Sequence, residues 1–157
     1  VARKTETYVV ADEGRDKGKS FLLTEWPSSK AESWATRAIL GLLNANVEIP
    51  DGALDGGMAA LLQIGIKKLF ALPYSSAGPL LIELMECVQV VPDAKRPQVK
   101  RALIEEDIEE VKTRLKLKSA VLNLHLDFSI ADALSKLTAK AKASAEEGRP
   151  HTRMSRK

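Results

Sequence analysis

The chain has 157 residues, enough for one domain with a sizeable core. Apolar residues make up 45% and charged residues 29%, which excludes a disordered chain. Apolar runs such as Leu80-Leu81-Ile82 are far shorter than the about 20 residues of a membrane span, and the single cysteine, Cys87, excludes an intrachain disulfide.

No charged-then-apolar leader pattern follows Val1-Ala2-Arg3-Lys4, so synthesis in the cytosol is the expectation. The net charge of +3 is unevenly spread: residues 138–157 carry six Lys or Arg against two acids, and the rest of the chain sums to −1. That basic end reads as a solvated tail before it reads as a nucleic-acid arm. It holds no aromatic residue, and single-strand binders interleave charge with stacking rings.

In chain order, Thr5 to Val10 and Lys19 to Trp26 are rich in β-formers, and Asp12 to Gly18 between them supplies turn residues. The pattern predicts a β-hairpin over about residues 5–26. A lone hairpin is marginal in water, so it needs the helical body or another chain. Ser29-Lys30-Ala31-Glu32 predicts a capping box. Trp34, Ala38, Ile39, Leu42 and Leu43 then share one helix face. A second helix is expected from about Gly57 to Leu72, with Met58, Leu61, Leu62, Ile66 and Leu69 inward. A third starts at Ser75 or Ser76, with Pro79 in its first turn and Leu80, Leu81, Leu84, Met85 and Val88 inward.

Val90 to Pro97 reads as an extended connector, because its two prolines forbid regular helix. Glu105-Glu106-Asp107-Ile108-Glu109-Glu110 opens a fourth helix, with acids at the positive end of its dipole and Ile104, Ile108, Val111 and Leu115 inward. The apolar phase slips after Lys116, which predicts a break near Leu117 and a short fifth helix over about 118–125. Ser129 begins a last one. The fold expected is therefore mainly α with a small N-terminal β-hairpin: a compact domain of five to six helices over 1–137, followed by a basic tail over 138–157. Trp34, Leu42, Leu62, Leu69, Leu84 and Ile108 are the expected core.

Catalytic signals are weak. Gly14-Arg-Asp-Lys-Gly18-Lys19-Ser20 looks like a phosphate-binding loop, yet it has three residues between its glycines where that motif needs four, and a strand follows where a helix is required. A hairpin turn is the better reading. His125 has Asp127 nearby but no nucleophile in sequence reach, which suits a structural histidine. Cys87 reads as a small buried hydrophobe. The acidic run lacks the glycine turn and alternating ligands of a calcium loop. Lys95, Arg96, Lys100 and Arg101 are placed to pair with it. No catalytic, cofactor or metal residue is assigned.

Gly18-Lys19-Ser20-Phe21-Leu22-Leu23-Thr24-Glu25-Trp26-Pro27, followed by Glu32-Ser33-Trp34-Ala35, resembles the opening of small phage tail assembly chaperones from long-tailed phages of Gram-negative hosts. Cys87-Val88 to Val91-Pro92-Asp93 and the run from Leu103 to Val111 resemble the same group. The likeness covers roughly residues 14–130. It implies a helical protein without enzymatic activity or cofactor, made in the host cytoplasm, often in a short form and a frameshifted long form. Its implied partners are the tape measure protein, possibly the tail tube protein, and further copies of itself. A small-molecule substrate, nucleic acid and membrane are not implied. The alternative is a structural virion subunit, a tail or neck component. Phe21, Leu23 and Trp26 are the expected partner-binding residues, since a hairpin that needs a partner would present its largest apolar side chains to it.

Overall fold

The computed structural model describes residues 2–48 and 66–125, all within a compact unit that spans Val1–Leu126. The elements run β1 (Thr5–Val9), β2 (Ser20–Thr24), α1 (Ser28–Asn44), α2 (Ile66–Leu69), α3 (Tyr74–Glu83), β3 (Val88–Val91), β4 (Arg101–Ala102) and α4 (Val111–Leu124). Two 3-10 turns, Leu84–Cys87 and Glu105–Asp107, join α3 to β3 and β4 to α4.

The expectation of a five-to-six-helix domain with a lone hairpin is wrong. The four strands form one antiparallel sheet in the order β1-β2-β3-β4, and only α1, α3 and α4 reach ten residues among the described segments. The supposed connector after Cys87 is β3: Val88-Gln89-Val90-Val91 alternates toward and away from the core and pairs Leu23 with Val88 and Phe21 with Val90. Pro92 ends that strand rather than preventing it. The hairpin thus finds its third strand within the chain.

Pattern and packing explain the rest. Phe21 and Leu23 alternate onto one sheet face with Val88 and Val90, and α4 lies against β1 and β2. Trp34, Phe21, Leu23, Leu42, Leu84, Leu117 and Val121 are fully buried in one cluster. Each such side chain contributes roughly 1.5–3 kcal/mol relative to exposure. Five of the six expected core residues are buried: Trp34, Leu42, Leu69, Leu84 and Ile108. Leu62 lies outside the described residues, as do the start of the second expected helix, the last expected helix and the basic tail.

Three local expectations fail for identifiable reasons. Helix α1 starts one residue earlier than the proposed cap, after Pro27, and no side chain caps it. Helix α3 likewise follows Pro73, which places Pro79 beyond the first turn. Leu84 and Met85 then lie in the 3-10 turn and Val88 in β3, all three buried.

Helix α4 is continuous through Leu117, with no break. Its buried stripe is Thr113, Leu117, Val121 and Leu124, spaced 4, 4 and 3, with Leu122 beside it. Ile104, Val111 and Leu115 are exposed. The apparent phase slip came from assigning Leu115 to the inner face and reading a helix into Glu105–Glu110, where a 3-10 turn and extended residues occur.

Candidate partner groove and the sites that resemble chemistry

Phe21, Leu23 and Trp26 do not form a surface. Phe21 and Leu23 have no exposed area and Trp26 keeps 7%: α4 packs on β2, β3 closes its side, and Trp26 lies against Trp34 of α1. Trp26 packs between Trp34, at 5.8 Å between ring centres, and His125, at 5.2 Å, with Lys30 Nζ 5.5 Å from its ring centre. These residues hold the fold and present nothing to a partner in the native state.

His125 is structural in the same cluster. The Trp26 backbone N–H donates to His125 Nε2 at 2.8 Å, and the other ring nitrogen, Nδ1, lies 2.7 Å from the Val121 carbonyl. An accepting Nε2 requires the proton on Nδ1, where it donates to Val121. Burial pushes its pKa down and outweighs the opposing pull of the Val121 carbonyl and Glu25, so the ring is neutral.

The near-miss phosphate loop is filled by its own carboxylate. Gly14 and Gly18 take left-handed φ values of 147° and 81°, turning the chain so that Asp16 points inward without exposed area. Asp16 Oδ1 accepts from Lys19 Nζ at 2.8 Å and from the Glu109 N–H at 3.0 Å, and Oδ2 accepts from the Glu110 N–H at 2.9 Å. Glu110 is the residue preceding α4, so Asp16 occupies the anion position at that helix N-terminus.

Burial alone would raise the Asp16 pKa. The Lys19 ammonium and the two backbone donors outweigh it and hold the carboxyl well below its usual range. Thr113 adds to that depression, although its hydroxyl falls outside hydrogen-bond geometry. Lys116 to Asp12 at 2.5 Å, Lys112 to the Glu13 carbonyl at 2.6 Å and Arg15 to the Glu109 carbonyl at 2.9 Å tie the same loop to α4 and its approach. The φ of 147° at Gly14 is one that side-chain-bearing residues rarely adopt, and a Cβ there would also have to displace the Glu110 carboxylate.

Other tempting groups are also occupied. Arg101 forms a two-pronged pair with Asp107 at 2.7 and 2.8 Å, joining the second basic patch to the acidic run. Among the described residues no group of three or more His, Cys, Asp or Glu is placed to hold a metal ion. Cys87 is buried and its thiol is pushed up to about 12 by that burial, so it is protonated at neutral pH. Among the described residues no helix is long and apolar enough to cross a membrane.

The feature with the opposite character lies between α1 and α3. A cleft of about 390 Å³ is lined by Arg37, Leu40, Gly41 and Asn44 of α1 and by Ser75, Ser76, Pro79 and Leu80 of α3. The α1 positions recur at the 3- and 4-residue spacing of one helix face. Leu40 is 50% exposed and Leu43, one turn beyond Ile39, is 42% exposed.

The walls of this cleft are fixed. Trp34 Nε1 donates to the Leu80 carbonyl at 3.0 Å, and Arg37 grips Glu83 through two bonds at 2.8 and 2.7 Å. Arg37 holds the Glu83 carboxyl below its usual range, against the opposing effect of burial. Leu72 packs against the backbone of α1 at Gly41, where a Cβ would sit in ordinary contact with its methyl at 3.4 Å. The result is a braced groove in which Leu40, Pro79 and Leu80 supply apolar surface and Arg37, Asn44, Ser75 and Ser76 supply polar groups. Such a groove accepts an apolar helix stripe or a short apolar segment. Sequence reasoning assigned Leu43 inward; the signal it missed was that Leu40 and Leu43 flank the buried Trp34-Ala38-Ile39-Leu42 face. No family model, no curated protein and no solved structure matches the chain.

Proposed function

We propose that this protein is a phage tail assembly chaperone that binds the tape measure protein in the host cytoplasm. Two things support the reading: the sequence resemblance between residues 18 and 111, and the apolar α1–α3 groove. The groove is the binding surface in this reading. It leaves Leu40 of its wall half in water, and Leu43, the next exposed leucine along α1, lies beside it outside the lining. A groove of this size engages one or two side chains of a partner. Affinity per site is therefore modest, and tight coating of a long helix comes from many copies acting together. Modest single-site affinity also lets the coat be stripped when tail tube subunits replace it.

A second reading, a structural tail or neck subunit, draws on the open outer edge of β1. Co-expression with the cognate tape measure protein, combined with mass-spectrometric counting in mature particles, separates the two. A chaperone keeps the tape measure soluble, co-purifies with it in many copies and is absent from particles. A subunit is present in particles at fixed copy number.

A further inference from the structure

The two edges of the sheet are protected unequally. On one side, β4 has only two residues, Pro97 lies shortly before it, and Arg101 is engaged with Asp107. Short strands, proline and charge are the usual devices that block edge pairing. On the other side, β1 has five residues and no proline, and every one of its residues except Tyr8 is exposed.

The direction of the β1 backbone follows from its ends. The Glu25 N–H donates to the Lys4 carbonyl at 3.0 Å, and the Val10 N–H donates to the Lys19 carbonyl at 3.0 Å. Ladder bonds in an antiparallel pair use alternate residues. Glu6 and Tyr8 therefore bond to β2, and Thr5, Thr7 and Val9 turn their N–H and C=O groups to the open edge.

We propose that this edge pairs with the same edge of a second copy, antiparallel and two-fold symmetric about Thr7. The edge is self-complementary. A two-fold at Thr7 is the register that matches the whole of Thr5–Val9 to itself: Thr7 bonds Thr7, and Thr5 bonds Val9, all through groups that already face outward. The side-chain pairs are also compatible. Thr7 meets Thr7 and Thr5 meets Val9 on one face, and Glu6 meets Tyr8 on the other. β-Branched residues pair well across strands, and no like charges are opposed. A register centred on Glu6 would instead set two carboxylates against each other. Pairing joins the two four-stranded sheets into one and removes the longer open edge from both. This proposal does not depend on the tape-measure reading.

Sedimentation equilibrium of the full chain tests it. The wild type forms a dimer. Thr7→Pro deletes an outward N–H that bonds nothing within the strand pair; it abolishes the dimer and leaves the circular dichroism spectrum unchanged. Thr7→Lys keeps the backbone but opposes two like charges, and weakens the dimer about fivefold. Thr7→Cys gives a disulfide-linked dimer on mild oxidation, because bonded antiparallel partners sit about 5.5 Å apart at Cα, within disulfide range. Ile82→Cys, exposed on α3, does not. If Thr7→Pro fails to fold, the lysine and cysteine variants decide. A wild type that stays monomeric at all concentrations, a dimer indifferent to Thr7→Lys, or equal cross-linking at positions 7 and 82 overturns the proposal.

Discussion

The hairpin loop and the α1–α3 groove are opposites. The loop carries the residues that look like chemistry, and it satisfies nearly all of them internally: Asp16 with Lys19 and two N–H groups, Asp12 with Lys116, Arg15 with the Glu109 carbonyl. The groove carries no residue that looks like chemistry, yet it leaves leucine in water. A charged motif whose partners are all within the chain is structure, and an apolar surface without a cover is where an interaction remains to be made.

That contrast can be broken first at the hairpin. Phe21→Ala empties a fully buried site and is expected to cost about 3–5 kcal/mol in urea unfolding. A loss below about 1 kcal/mol would return Phe21 to the surface.

The loop gives the next effect. Asp16→Ala leaves the Glu109 and Glu110 N–H groups without their acceptor and Lys19 with Glu109 alone, and is expected to cost about 1–3 kcal/mol. The wild-type carboxyl titrates below its ordinary 3.8, so its contribution is fully present above that pH and is lost as pH falls toward the folded value. The variant loses that segment of acid sensitivity. ATP binding that disappears in Lys19→Ala, measured by calorimetry, would make the loop a ligand site after all.

A smaller effect is expected at His125. Its folded pKa lies below the ordinary 6.5, so the neutral ring stabilises the fold above that pH, and this is lost as pH falls through the folded value. Protonation also removes the acceptor for the Trp26 N–H. Unfolding free energy should decline on acidification below about pH 6.5, and His125→Gln should flatten that decline. An unchanged slope in the variant would assign the acid response to other groups.

Much of the core was legible, because Trp34, Leu42, Leu69, Leu84 and Ile108 stand on local apolar periodicities. The third strand was not, because Pro92 and Pro97 outweighed the β-branched run Val88-Gln89-Val90-Val91. A hairpin that needs a partner, together with a Val-rich stretch of matching length, was the signal available. The Asp16 anchor was beyond local reading: it joins residues more than 90 positions apart, and only its glycine bracket marked it. The partner surface was misplaced for a simple reason. Large apolar side chains on a hairpin suit an interface and a core equally, and here the chain's own sheet and helices cover them.

The smallest expected effect on stability belongs to the groove, and it makes the most direct test. Leu40→Glu with Leu43→Glu alters only half-exposed side chains and should shift the unfolding free energy by no more than about 0.5 kcal/mol per site. This folded double variant, co-expressed with the tape measure protein, should no longer co-purify with it, whereas wild type does. Full retention of the tape measure by the double variant would contradict the assignment of binding to the α1–α3 groove.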